Sequence, residues 1–164
     1  MIEPPTTSAT PADTAAPACC PRRQQQADHV ISFDVEEYFQ VEAAAAFVRP
    51  ADWANYPSRV EKSIDLVLEI LADAGVSATF FVLGSVARDH GPMVARIAGA
   101  GHEIASHGMS HRMLTRMSPE EFSAELSESR KLLEDLAGQR ILGFRAPTFS
   151  IVRQTGVWAI DALA

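Results

Sequence analysis

Cysteine is almost missing from this chain: of 164 residues only Cys19 and Cys20 carry thiols, and they are neighbours. Vicinal cysteines rarely bridge each other, and two thiols alone make a poor metal site. A disulfide scaffold is excluded, and two free thiols in a reducing compartment are expected. A lipid-anchored cysteine would need a preceding apolar stretch, which is absent. Basic residues are also scarce: 14 Lys and Arg face 21 Asp and Glu, leaving a net charge of −7. That sign argues against nucleic acid as a partner. No apolar run is long enough to cross a bilayer. Residues 1–28 lack the charged start and apolar stretch of a secretory signal, so a cytoplasmic location is expected.

The same first 28 residues hold many of the prolines and few large apolar groups. They cannot bury enough surface to offset chain entropy and are expected to be disordered. Order is expected from His29 to Ala164. Val30 to Phe33 reads as a buried parallel strand. Trp53, Tyr56 and Pro57 suit a loop packed over one end of the fold. A helix is expected over Arg59 to Ala74, with Ser58 and Glu61 as a capping box and Val60, Ile64, Val67, Leu68 and Leu71 on one face. Val76 to Leu83 reads as a second strand, and a helix over Met93 to Ala98 follows Pro92. His102 to Ser106 is a third strand. Ser118, Pro119 and Glu121 start another helix, with Phe122, Leu126, Arg130, Leu133 and Leu136 at helical spacing, and Gly138 ends it. Ile141 to Phe144 reads as a fourth strand, and a last helix starts around Gln154. Alternating strands and helices predict parallel βα units, about four of them. A full barrel of such units needs about 200 residues or more, so the expectation is a truncated piece of a longer domain.

Chemistry gathers in three places. Ser32-Phe33-Asp34-Val35-Glu36-Glu37 follows the first strand. Asp34 and Glu36 are two apart, which in a strand puts both carboxylates on one side. Two acids there divide labour: one binds a cation and the other takes a proton. His107-Gly108-Met109-Ser110-His111 follows the third strand. Spacing of four lets both imidazoles converge on one ion across a helical turn or a tight loop. Arg145-Ala146-Pro147 follows the fourth strand, and its guanidinium suits pairing with Asp34. His102 reads as structural, while His29 and His90 carry no pattern. Singly, the acid pair and the arginine are weak signals. Jointly they lie at the carboxyl ends of parallel strands, where α/β folds place their sites. The equipment is that of metal-assisted hydrolysis.

The strings Phe33 to Phe39, Ala78 to Gly84, Gly101 to Gly108 and Phe144 to Ser150 together resemble motifs of the NodB-homology polysaccharide deacetylases, carbohydrate esterase family 4. They are most similar to the branch linked to exopolysaccharide synthesis. The resemblance runs over about His29 to Ala164. It implies a deformed (β/α) barrel, here its N-terminal portion, and removal of N-acetyl groups from the amino sugars of a glycan. It implies Asp34 as general base, Arg145 as its orienting partner, and Glu36, His107 and His111 as ligands of a divalent metal, most often zinc. Backbone N–H groups near the histidine loop would help hold the oxyanion.

Two departures follow from the family pattern. Its commoner first motif has adjacent aspartates, whereas Val35 intervenes here, which leaves Glu37 as a fallback ligand. The later family motifs, with the histidine that serves as general acid, are expected beyond residue 164. Two further readings stand beside the deacetylase: a hydrolase of small cyclic amides from the same superfamily, and an inactive metal- or glycan-binding fragment.

Overall fold

The computed structural model describes residues 29–164. The expectations for residues 1–28, including Cys19 and Cys20, lie outside the described residues.

Three short segments, of which the central one is wholly β-branched and aromatic, form a parallel sheet: β1 (Ser32–Val35), β2 (Thr79–Val82) and β3 (Glu103–Ser106), in the order β1-β2-β3. Phe33 pairs with Phe80, which pairs with Ile104. Five helices connect and cover the strands: α1 (Val60–Ala74), α2 (Gly84–Asp89), α3 (Gly91–Gly99), α4 (Pro119–Ala137) and α5 (Gly156–Leu163). The main core lies between sheet and helices. Phe80, Val82 and Ile104 pack with Ile64, Leu71, Met93, Ile97 and Leu133, all buried. A smaller cluster of Leu114, Phe122, Ala146 and Ala159 sits under α5, with Phe122 edge-on to both Phe144 and Trp158. No helix among the described residues is long and apolar enough to cross a membrane.

The architecture is the expected α/β one, with four local differences. The segment Ile141 to Phe144 is not a strand; it makes a single parallel bridge, Phe144 to Ser106. Leu142 is 77% exposed, and no further strand flanks this segment among the described residues, so the ladder stops after one pair. Helix α2 was not expected. Its first residue, Gly84, donates its N–H to Gly108 O at 2.8 Å, and a Cβ there would meet Met109 Sδ at 2.2 Å. Any larger residue there would have to displace the Met109 side chain and press on the Met109 backbone at 3.2 Å.

The capping box expected at Ser58 and Glu61 does not form. The buried carboxylate of Glu37 replaces it, accepting from the Ser58 hydroxyl and from the N–H groups of Arg59 (3.0 Å) and Val60 (3.4 Å). Glu61 instead meets His90 Nδ1 at 2.8 Å. By contrast Ser118 and Glu121 cap α4 reciprocally, as expected. On α4, Arg130 is exposed, and the buried position belongs to Ser129, whose hydroxyl pairs with Ser106 Oγ at 2.9 Å.

Candidate metal centre

β1 delivers the acids. Asp34 lies in the strand opposite Phe81, and Glu36 follows just beyond its end. β3 delivers the histidine loop, which opens when His107 N donates to Val82 O at 3.0 Å. Gly108 then turns with φ 82°, and His111 itself takes a left-handed backbone with φ 57°. A non-glycine residue in that region is uncommon and costs on the order of 1 kcal/mol or more. The loop holds that conformation because its neighbours fix it. Ser106 Oγ accepts from Gly108 N at 3.1 Å, and Glu125 accepts from the Ser110 hydroxyl at 2.8 Å. The four-residue spacing thus works through a tight loop and not through a helical turn.

The outcome is convergence. One donor atom from each of Glu36, His107 and His111 lies within 4.8 Å of the other two. Glu36 Oε2 is 2.7 Å from His111 Nε2 and 3.9 Å from His107 Nε2. Ligand atoms bound tetrahedrally at about 2.0–2.1 Å stand about 3.3 Å apart, a spacing between the two observed ones. The donor set itself gives a second test. Glu36 Oε2 is buried yet has no hydrogen bond among the described residues, its 2.7 Å approach to His111 being an ion-pair contact. Buried carboxylate oxygens are normally satisfied, and an orphan facing two imidazole nitrogens fits a cation between them. The tautomer agrees. His107 Nδ1 lies 2.8 Å from Arg145 O, a carbonyl that can only accept, so the proton sits on Nδ1 and Nε2 keeps its lone pair. Burial pushes the His107 imidazole below its ordinary range. The negative charge of Asp34 opposes this most strongly, and the nearby His111 ring adds to it. A neutral imidazole is the ligating form.

Arg145 reaches back across the sheet. Its Nη1 donates to Asp34 Oδ1 at 2.6 Å and its Nη2 to Ser32 Oγ at 2.7 Å. The guanidinium lies over the Phe81 ring, 3.9 Å from its centroid. Asp34 is thereby oriented with one oxygen engaged, and its side chain remains 30% exposed. All five residues singled out from the sequence therefore meet at one edge of the sheet. Glu37, the fallback ligand, does not join them, since its carboxylate is committed to capping α1. His102 is structural as expected, its Nδ1 taking the N–H of Ala78.

Sequence reading missed Ser32, Phe81 and Glu125 as supporting residues. Ser32 is two positions before Asp34, and Phe81 is its ladder partner, so strand register carries the signal for both. Glu125 is 15 residues from Ser110 and gave no local signal.

Comparison with known proteins adds independent findings. A polysaccharide deacetylase family model matches residues 53–161, a span that includes His107, His111 and Arg145. A chitooligosaccharide deacetylase of Rhizobium leguminosarum bv. trifolii is 34% identical over 98 residues, covering 60% of this chain and 42% of that protein. A peptidoglycan-N-acetylglucosamine deacetylase of Bacillus cereus is 31% identical over 132 residues, covering 77% and 46%. The chain thus spans less than half the length of these relatives. Among solved structures, a Mycobacterium smegmatis protein assigned to the polysaccharide deacetylases superposes with a TM-score of 0.66 at 28% identity, covering 82% of this chain and 46% of that one. A CE4 family pseudoenzyme from Bacillus anthracis superposes with a TM-score of 0.58 at 25% identity, covering 62% and 36%. With the family model matched over most of the chain and the fold shared, this protein belongs to the polysaccharide deacetylase family.

Proposed function

We propose that residues 29–164 form part of a metal-dependent hydrolase that removes N-acetyl groups from the amino sugars of a glycan. The observation that carries this reading is the meeting of Glu36, His107 and His111 beside the Asp34–Arg145 pair. Glu36, His107 and His111 would hold a divalent cation, and two imidazoles with one carboxylate suit zinc. Zinc held there would supply a Lewis acid for the acetyl carbonyl and lower the pKa of a bound water. Asp34 takes the proton of the attacking water on its oxygen not engaged by Arg145. Arg145 fixes the carboxylate's orientation. Ser32 and the Phe81 ring hold the guanidinium in turn. The curated relatives, deacetylases of chitooligosaccharide and of peptidoglycan N-acetylglucosamine, support an N-acetylglucosamine polymer as the substrate class. The resemblance of the strings Phe33 to Phe39, Ala78 to Gly84, Gly101 to Gly108 and Phe144 to Ser150 to the exopolysaccharide branch favours a place in exopolysaccharide synthesis.

The test is acetate release from N-acetylglucosamine oligomers by the zinc-loaded protein. Wild type releases acetate and Asp34→Asn does not. Equal release by both would remove Asp34 from its role.

A further inference from the structure

The histidine loop is held from α4 at two points, and packing does not explain the second of them. Glu125 accepts from the Ser110 hydroxyl at 2.8 Å. Ser129 stands four residues on, hence on the same face of the helix. Its hydroxyl lies 2.9 Å from Ser106 Oγ, and Ser106 Oγ accepts from Gly108 N, between the two histidines, at 3.1 Å. We infer that Ser129 is a positioning residue of the candidate metal centre: it aims the Ser106 hydroxyl, and Ser106 then holds the backbone between His107 and His111. The inference rests on the metal reading above and gives Ser129 no contact with ion or substrate.

The directions of the hydrogen bonds define the role. A backbone N–H only donates, so Ser106 Oγ is the acceptor for Gly108. The Ser106 proton then needs an acceptor of its own, and Ser129 Oγ is the one it meets among the described residues. Ser129 in turn gives its proton to Leu126 O at 3.2 Å. All three bonds therefore run one way, from the loop into α4. The dependence is one-sided: Ser129 is satisfied on its own helix, whereas Ser106 has no such acceptor without Ser129. The two residues are 1% and 0% exposed, so bulk water does not replace a lost partner. Size alone does not select serine. Helix α2 comes close at Gly84, where an added Cβ would lie 3.2 Å from Ser129 Cβ, which favours a small residue at 129. Alanine meets that demand and is the better helix former, so the hydroxyl is what serine adds. Ser106 also anchors the arginine segment. Its N–H donates to Gly143 O and its C=O accepts from Arg145 N, both at 2.9 Å, while Arg145 O holds His107 Nδ1 at 2.8 Å. A shift at Ser106 thus reaches the first histidine by a second route.

The test compares four variants of the full chain: Ser129→Ala, Ser106→Ala, the two combined, and Leu133→Ala. Leu133 is buried on the same helix and takes no part in the relay. Amide hydrogen exchange of the zinc-free protein is read by NMR at Gly108 and at Glu103, whose N–H donates to Ala78 O in the same strand. Ser129→Ala should speed exchange at Gly108 about tenfold relative to Glu103, whereas Leu133→Ala, which loosens the core, should speed both alike. In calorimetric titrations with zinc, Ser129→Ala and Ser106→Ala should each weaken binding about tenfold. The combined variant should lose no more than Ser106→Ala alone, because Ser129 acts only through Ser106. An exchange ratio unchanged by Ser129→Ala overturns the inference, and so does a combined loss equal to the product of the single ones. The metal reading fails separately. Wild-type protein that takes no zinc overturns that reading and the relay's purpose with it, while normal zinc binding with an unchanged ratio overturns the relay alone.

Discussion

The two sides of the candidate metal centre are built differently. On the imidazole side, His107 is locked by the Arg145 carbonyl and the loop beyond it by Ser106, Glu125 and the backbone of α2. On the carboxylate side, Glu36 Oε2 has no hydrogen bond and Asp34 has one strong partner, Arg145. The histidines are therefore positioned by the fold before any cation arrives. Glu36 is positioned chiefly by its chain neighbours and by the electrostatics of what it faces. The stability of the empty protein should depend on the first side, and metal charge compensation on the second.

Substitutions on each side sharpen that contrast. His107→Ala removes a ligand and leaves a cavity under the sheet edge. Zinc affinity should fall by at least about a hundredfold, and the zinc-free melting point should drop as well. Calorimetry with thermal denaturation reads both. Glu36→Gln should cost zinc affinity about ten- to a hundredfold yet cost the zinc-free protein less stability than His107→Ala does, because the altered oxygen loses only its 2.7 Å contact with His111. Equal destabilisation by the two variants would erase the distinction between the sides. Glu125→Ala touches no ligand. By freeing Ser110 it should reduce zinc affinity about tenfold, the lower end of what outer-shell partners contribute.

The pH dependence has a definite sign. Burial depresses the His107 pKa, so the native chain binds fewer protons than the unfolded chain as pH falls below 6.5, the ordinary imidazole value. The zinc-free protein should lose stability from that point downward, through the lower native pKa. Zinc binding should weaken over the same range as protons compete for the ring. In His107→Ala this acid slope should shrink, as denaturant titrations at several pH values would show. The smallest effect on zinc affinity is expected at the neighbouring Glu37, whose carboxylate is engaged with the start of α1 and not with the candidate centre. Glu37→Ala strips the cap from α1 and should cost about 1–2 kcal/mol of stability.

The same contrast explains what could be read from sequence. Asp34, Glu36, His107, His111 and Arg145 were legible because each follows a short apolar run, and strand ends place side chains predictably. The acid–guanidinium pairing followed from charge alone. What could not be read depends on partners distant in sequence. Ser58 and Glu61 satisfy the local capping pattern, but Glu37, 21 residues before Ser58, supplies a better-placed carboxylate. Glu61 is drawn off to His90 and Arg96. Ile141 to Phe144 has strand composition, but one bridge to Ser106 is all the pairing it finds. Helix α2 is only six residues long and begins with glycine, so periodicity had too little length to report it.

X-ray absorption at the zinc edge of the loaded full-length chain reads the ion's ligands themselves. Binding by Glu36, His107 and His111 gives a shell of nitrogen and oxygen at about 2.0–2.1 Å, with the outer scattering of two imidazoles. A sulfur shell at about 2.3 Å, placing the ion on Cys19 and Cys20, would contradict it.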